Sequence, residues 1–189
     1  MEWHGQLFGS LCYQVFLEYR RLSQAYERAE VRHASLLAWS SRNLLELSVW
    51  CQYFAKSGEN ARQLYEDAGR DAHDILQAFE KWGCEADFPA DWREPISAGR
   101  DDLIRRAANE GSETLGEPYT RVAVAAEQCG IRRQFALHYK LLSKFSHPTA
   151  LKILGGADDK AHAHQRECFF ALGFLFFTLA VEALEDTPA

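Results

Sequence analysis

Apolar residues recur at three- and four-residue steps through almost the whole of this 189-residue chain. Nowhere does the sequence sustain the period of two that a half-buried strand needs. Leu7, Leu11, Val15 and Leu22 set the spacing in the first run, with Tyr19 and Tyr26 added to the same face. Further helical runs are expected at residues 34–56, 59–82, 97–109, 119–129, 131–147 and 158–184. The charged residues 27–32 read either as a short connection or as unbroken helix. Breakers fall between the runs: Ser57-Gly58, Gly83, the two prolines of segment 84–95, residues 111–118, Gly130, and Pro148 followed by Gly155 and Gly156. No fixed repeat of solenoid length is present. The expected fold is all-α, a single-domain helical bundle of about seven helices over residues 1–189, a length that suits one domain.

Such a bundle needs a core, and 47% hydrophobic residues with 13% aromatic are ample for one without cross-links. The five cysteines (Cys12, Cys51, Cys84, Cys129 and Cys168) are odd in number and widely spaced, with no CxxC. That pattern argues against a disulfide framework or zinc site and for a reducing, cytoplasmic setting. Cys12, Cys51 and Cys168 stand in apolar runs and are expected to be small buried hydrophobes. The first 14 residues carry no basic stretch ahead of an apolar one, so no signal peptide is expected. The apolar run at residues 168–181 is 14 residues long and is followed by Glu182 and Glu185. That is short of the roughly 20 residues a membrane span requires, so no membrane association is expected. Phe169, Phe170, Phe174, Phe176 and Phe177 leave this run apolar on every side, which calls for cover all round and points to a homodimer.

Polar residues set into apolar faces mark the candidate site. In the second run Arg42 and Glu46 are spaced for contact and share a face with Ala38, Trp39, Val49 and Tyr53. They are either an exposed ion pair or a buried pair facing further polar groups, because a buried charge demands partners. Near the end of the sixth run Tyr139, Ser143 and His147 recur at four-residue steps, and Pro148 should stop the helix at or near His147. Bringing Arg42 and Glu46 opposite Tyr139, Ser143 and His147 would satisfy both sets in one network. A histidine at a helix C-terminus meets the negative end of the dipole, which favours its charged form; it could equally do no more than cap the last carbonyls. Arg133, Lys140 and Lys144 form a separate, solvated stripe.

RNLLEL at residues 42–47 and YKLLSKFSHPT at residues 139–149 resemble sequences of a group of bacterial helical proteins related to the HEPN superfamily, the higher-eukaryote and prokaryote nucleotide-binding domains. The resemblance implies a helical bundle that commonly dimerises and, in many members, a ribonuclease of toxin–antitoxin or phage-defence systems. Those members carry an arginine a few residues ahead of a histidine. His147 would take the place of that histidine, but Lys140, Leu141 and Leu142 precede it where the arginine would stand. Arg28/His33, Arg132/His138 and Arg133/His138 fall at similar spacings, as often as chance gives in a chain with seven histidines.

No GxGxxG, P-loop, HExxH or GxSxG occurs, and His162 and His164 are two residues apart on a helix, facing different ways, so neither cofactor nor metal is expected. A net charge of −6 argues against a general nucleic-acid binder while leaving room for a local basic strip. Two functions follow. The first is a non-catalytic interaction or nucleotide- or RNA-binding module with a possible protein partner, its polar network kept for structure. The other is a metal-independent ribonuclease with His147 as general acid/base, Arg42 stabilising phosphate, Glu46 orienting Arg42, and Tyr139 and Ser143 positioning the ligand.

Overall fold

The computed structural model describes residues 2–28, 34–109, 115–147, 149 and 159–187. Of these, 88% are helical and none is in a strand, so the chain is all-α. Seven helices follow in order: α1 Glu2–Glu27, α2 Ala34–Lys56, α3 Gly58–Glu85, α4 Ala90–Asn109, α5 Val122–Gln128, α6 Arg132–Ser146 and α7 Asp159–Glu185. Most of the doubtful connection at residues 27–32 lies outside the described residues, as do Pro148, Gly155 and Gly156. Contacts gather the chain into two units, residues 1–61 with 121–189, and residues 62–120.

In the first unit α2 is packed against α1, α5, α6 and α7. Leu37, Ala38, Leu44, Val49 and Cys51 are fully buried, and Tyr53 and Phe54 nearly so. Small residues let the neighbours approach. Ser40, Ser41 and Ser48 are as buried as the aliphatic residues, and Ser41 Oγ donates to the Phe169 carbonyl of α7 at 2.6 Å. At the same junction a Cβ on Gly173 would lie 2.5 Å from Leu22 Cδ2 and 2.6 Å from Ser41 Oγ, so only glycine fits. Aromatic pairs give the helix directions. Tyr19 stacks on Phe177 and Tyr26 on Phe170, so α1 and α7 run antiparallel. His138 with Phe176 and Phe145 with Phe169 do the same for α6 and α7.

Helix ends follow capping chemistry. Gly130 adopts φ 76° just past α5, with its N–H on the Glu127 carbonyl and that of Ile131 on the Ala126 carbonyl, both at 2.9 Å. This is the paired arrangement that a left-handed glycine allows at a helix C-terminus. The α6 helix stops at Ser146, with His147 extended at φ −102°, ψ 156° as its cap.

The structure corrects several expectations. Gly83 does not end α3, which runs on to Glu85. A Cβ at Gly83 would sit 3.3 Å from Arg93 Cγ, so this glycine serves close packing of α4 on α3 within the second unit. Segment 84–95 is not irregular throughout, because α4 begins at Ala90 and contains Pro95. Edge contacts from Trp82 to Phe88 and from Phe88 to Trp92 hold the chain there and outweigh the proline's missing donor. Cys51 is buried, but Cys168 is exposed; all five cysteines are free. The run at 168–181 is part of a longer helix, and an 18-residue window in residues 160–185 has mean hydropathy 1.8. By length and composition alone α7 is long enough to cross a membrane, so the length argument against a span fails. Phe169, Phe176, Ala180 and Leu184 of α7 are nonetheless buried in the first unit, while Phe174, Leu175 and Leu179 are 50%, 45% and 37% exposed.

Gly173→Ala should cost about 1–3 kcal/mol, since Leu22 is fully buried and Ser41 is held by its hydrogen bond. Urea denaturation of the variant checks this, and an unchanged midpoint would mean that the junction is loosely packed.

Candidate functional site

Arg42 is the centre of the polar network in the first unit. Its Nε donates to Glu46 Oε1 at 3.1 Å along α2. Its Nη2 donates to Tyr139 Oη at 2.6 Å, and its Nη1 lies 2.6 Å from His147 Nε2, both reaching across to α6. The guanidinium carbon also stands 4.6 Å from the centre of the Tyr139 ring, within reach of its electron-rich face. Three of the five guanidinium N–H groups are thus directed at three different side chains.

Arginine has only hydrogens to offer, so in this contact Nε2 is the accepting atom.

The site is neither exposed nor deeply buried. The Arg42 side chain is 18% exposed and that of Glu46 30%, while His147 lies at the surface. Burial pushes the Glu46 carboxyl above the usual carboxylate range, and the charge and hydrogen bond of Arg42 pull it only part of the way back. Val49 and Tyr53, expected on this face, are buried, but Trp39 is 41% exposed. Ser143 is not drawn in. Its hydroxyl is buried without a partner, and its carbonyl accepts from the His147 N–H at 3.3 Å. Thr149 Oγ1 donates to the Lys144 carbonyl at 3.0 Å and closes the end of α6.

Of the other arginine–histidine spacings, Arg28/His33 lies partly outside the described residues, and Arg132 and His138 are turned to different partners. Arg132 pairs with Glu127, whereas the His138 ring packs against Phe176. A cluster in the second unit was not anticipated. Arg70, 4% exposed, bonds Asp67 at 2.6 Å and reaches Glu66 at 3.4 Å, and Asp67 Oδ2 accepts the Thr120 N–H at 3.1 Å. The only signal in the sequence is the i,i+3 and i,i+4 spacing of these charges, which solvated helix faces share. With every carboxylate oxygen there turned toward a donor of its own unit, the cluster reads as structural. No group of metal-binding side chains occurs among the described residues.

Comparison with protein-family models, with curated proteins and with solved structures finds no match. The functional reading therefore rests on the geometry.

Glu46→Gln tests the half-buried carboxylate. A carboxyl whose folded value is raised contributes most to stability below its unfolded value near pH 4, and that contribution is lost as pH climbs through the raised folded value. Glutamine keeps an acceptor for Arg42 Nε without the charge. The variant should match the parent near pH 4 and gain on it toward pH 7 in paired thermal melts. A gap that opens in the opposite direction would show that Arg42 more than offsets the burial.

Proposed function

We propose that this chain is a non-catalytic binding module related to the HEPN proteins, in which Arg42, Glu46, Tyr139 and His147 clasp the end of α6 to α2. One observation carries the reading. The lone pair of His147 Nε2, which a general base would need, is already taken by Arg42 at 2.6 Å. The clasp steadies α6, whose outer face holds Arg133, Lys140 and Lys144 together with the 67%-exposed Leu137. None of these three cations has an ion-pair partner among the described residues, so the stripe is a local basic patch on an acidic chain. Single-stranded RNA fits it, through phosphates on the cations and a base against Leu137. The exposed Phe174, Leu175 and Leu179 of α7 support a homodimer, which a monomeric mass in sedimentation at micromolar concentration would remove. A role in toxin–antitoxin or phage-defence systems, and a cytoplasmic location, accompany the HEPN relation as parts of the same proposal.

A ribonuclease remains the second reading, favoured by the surface position of His147 beside a guanidinium. One set of assays separates the two. The parent protein should bind labelled single-stranded RNA with an affinity that falls as salt rises, and should leave it uncut. Substituting Lys140→Gln and Lys144→Gln together should weaken binding several-fold and lower the salt slope by about 1–2. Metal-independent cleavage that His147→Ala abolishes with little loss of stability would establish the ribonuclease instead. RNA that neither binds nor is cut would discard both.

A further inference from the structure

The first unit covers only one side of α7. Phe169, Phe176, Ala180 and Leu184 are buried in it, yet just 28% of the helix's most apolar 18-residue window is buried. The opposite side carries His164, Cys168, Ala171, Leu175, Thr178 and Glu182, separated by alternating steps of four and three. That spacing keeps a line of side chains facing a second helix along its whole length. Phe174 and Leu179 flank the line, and both are exposed along with Leu175. Phe16 of α1, 56% exposed, packs edge-on against Phe177 and widens the apolar surface on one flank. A contiguous apolar face of this kind marks a contact surface.

The two ends of the line differ in charge. Lys160 and His164 stand toward the N-terminal end, where His164 Nδ1 donates to the Lys160 carbonyl at 2.9 Å and leaves Nε2 for another partner. Glu182, Glu185 and Asp186 are exposed at the other end, and none of them has an ion-pair partner among the described residues. A second α7 lying parallel would set carboxylates against carboxylates. Lying antiparallel, it sets each end against its opposite and also opposes the two helix dipoles favourably. The face is thus complementary to itself in one orientation. A lipid surface suits it less, because anionic headgroups repel the acidic end and burial of Phe169 and Phe176 holds α7 in its unit.

We infer that two copies of this chain dock through α7, side by side and antiparallel, with His164 of each facing Glu182 of the other. Lys160 then faces Asp186, Cys168 faces Thr178, and each Leu175 fits over the small Ala171 of the second copy. This arrangement rests on the homodimer proposed above and names its surface. It does not involve the Arg42 clasp, which lies on α2 and α6.

Sedimentation equilibrium of the full chain should give a dimer mass at tens of micromolar. Leu175→Asp should raise the dissociation constant at least about tenfold, with the helical content by circular dichroism unchanged. Glu182→Lys should weaken the dimer several-fold, and adding His164→Glu should recover most of that loss, a rescue that unspecific apolar association would not give. Thr178→Cys should form a disulfide-linked dimer with the native Cys168 under mild oxidation, and Cys168→Ser should abolish the link. The parent should stay unlinked through this residue, since its two Cys168 lie about 15 Å apart along the helices. Ready cross-linking of the parent through Cys168 would mean a parallel pair and overturn the arrangement. A dimer mass that Leu175→Asp leaves unchanged would overturn it too, while keeping the homodimer on another surface. A parent that is monomeric at these concentrations would overturn both, and its flotation with phosphatidylcholine vesicles would assign the face to lipid.

Discussion

Three helices meet where Gly173 of α7 faces Leu22 of α1 and Ser41 of α2, at a separation that leaves no room for a methyl group. The Ser41 hydrogen bond to the Phe169 carbonyl locks the same junction from the polar side. Close approach here draws α2 into the middle of the first unit, so that serines at 40, 41 and 48 are buried along with the aliphatic residues. A helix surrounded in this way has little surface left for charge. Glu46 is met by Arg42 on the same helix, and Arg42 must then find its further partners on a neighbouring element, which α6 provides.

The clasp follows from that constraint. Tyr139 and His147 are two turns apart on α6, and a single planar guanidinium reaches both while also holding Glu46. Lysine could not replace it, because its ammonium lacks the flat fork that divides three bonds among three directions. The cost of a half-buried carboxylate is visible in the raised Glu46, and the return is a fixed end to α6 where its last carbonyls need capping. Chemistry and packing meet in one residue. The histidine that a catalytic reading would favour is held as an acceptor, and the same bond that orients it also occupies it.

Much of this arrangement was legible from residue order alone. Polar residues at four-residue steps on two otherwise apolar helices have few ways to be satisfied, so Arg42, Glu46, Tyr139 and His147 could be paired before any coordinates. Ser143 shares the spacing but not the bond, since a short hydroxyl reaches only what stands directly against it. Arg70 and Asp67 escaped notice because an i,i+3 charge pair looks the same whether solvated or buried. What buries them includes residues 115–120, a segment without periodicity of its own. Pro95 misled through a sound local rule that an aromatic cluster overrides. Periodicity marks helices without saying which of them pack together, so the division into two units left no trace in it.

The central claim is that Arg42 acts as one clasp on α2 and α6 rather than as three independent surface contacts. A double-mutant cycle in urea, with Arg42→Ala, Tyr139→Phe and the pair together, measures this directly. The account predicts a coupling energy of about 1 kcal/mol or more between the two positions, because each substitution strands the partner of the other in a half-buried site. Strictly additive effects, with Arg42→Ala itself costing under about half a kcal/mol as an exposed pair would, would contradict it.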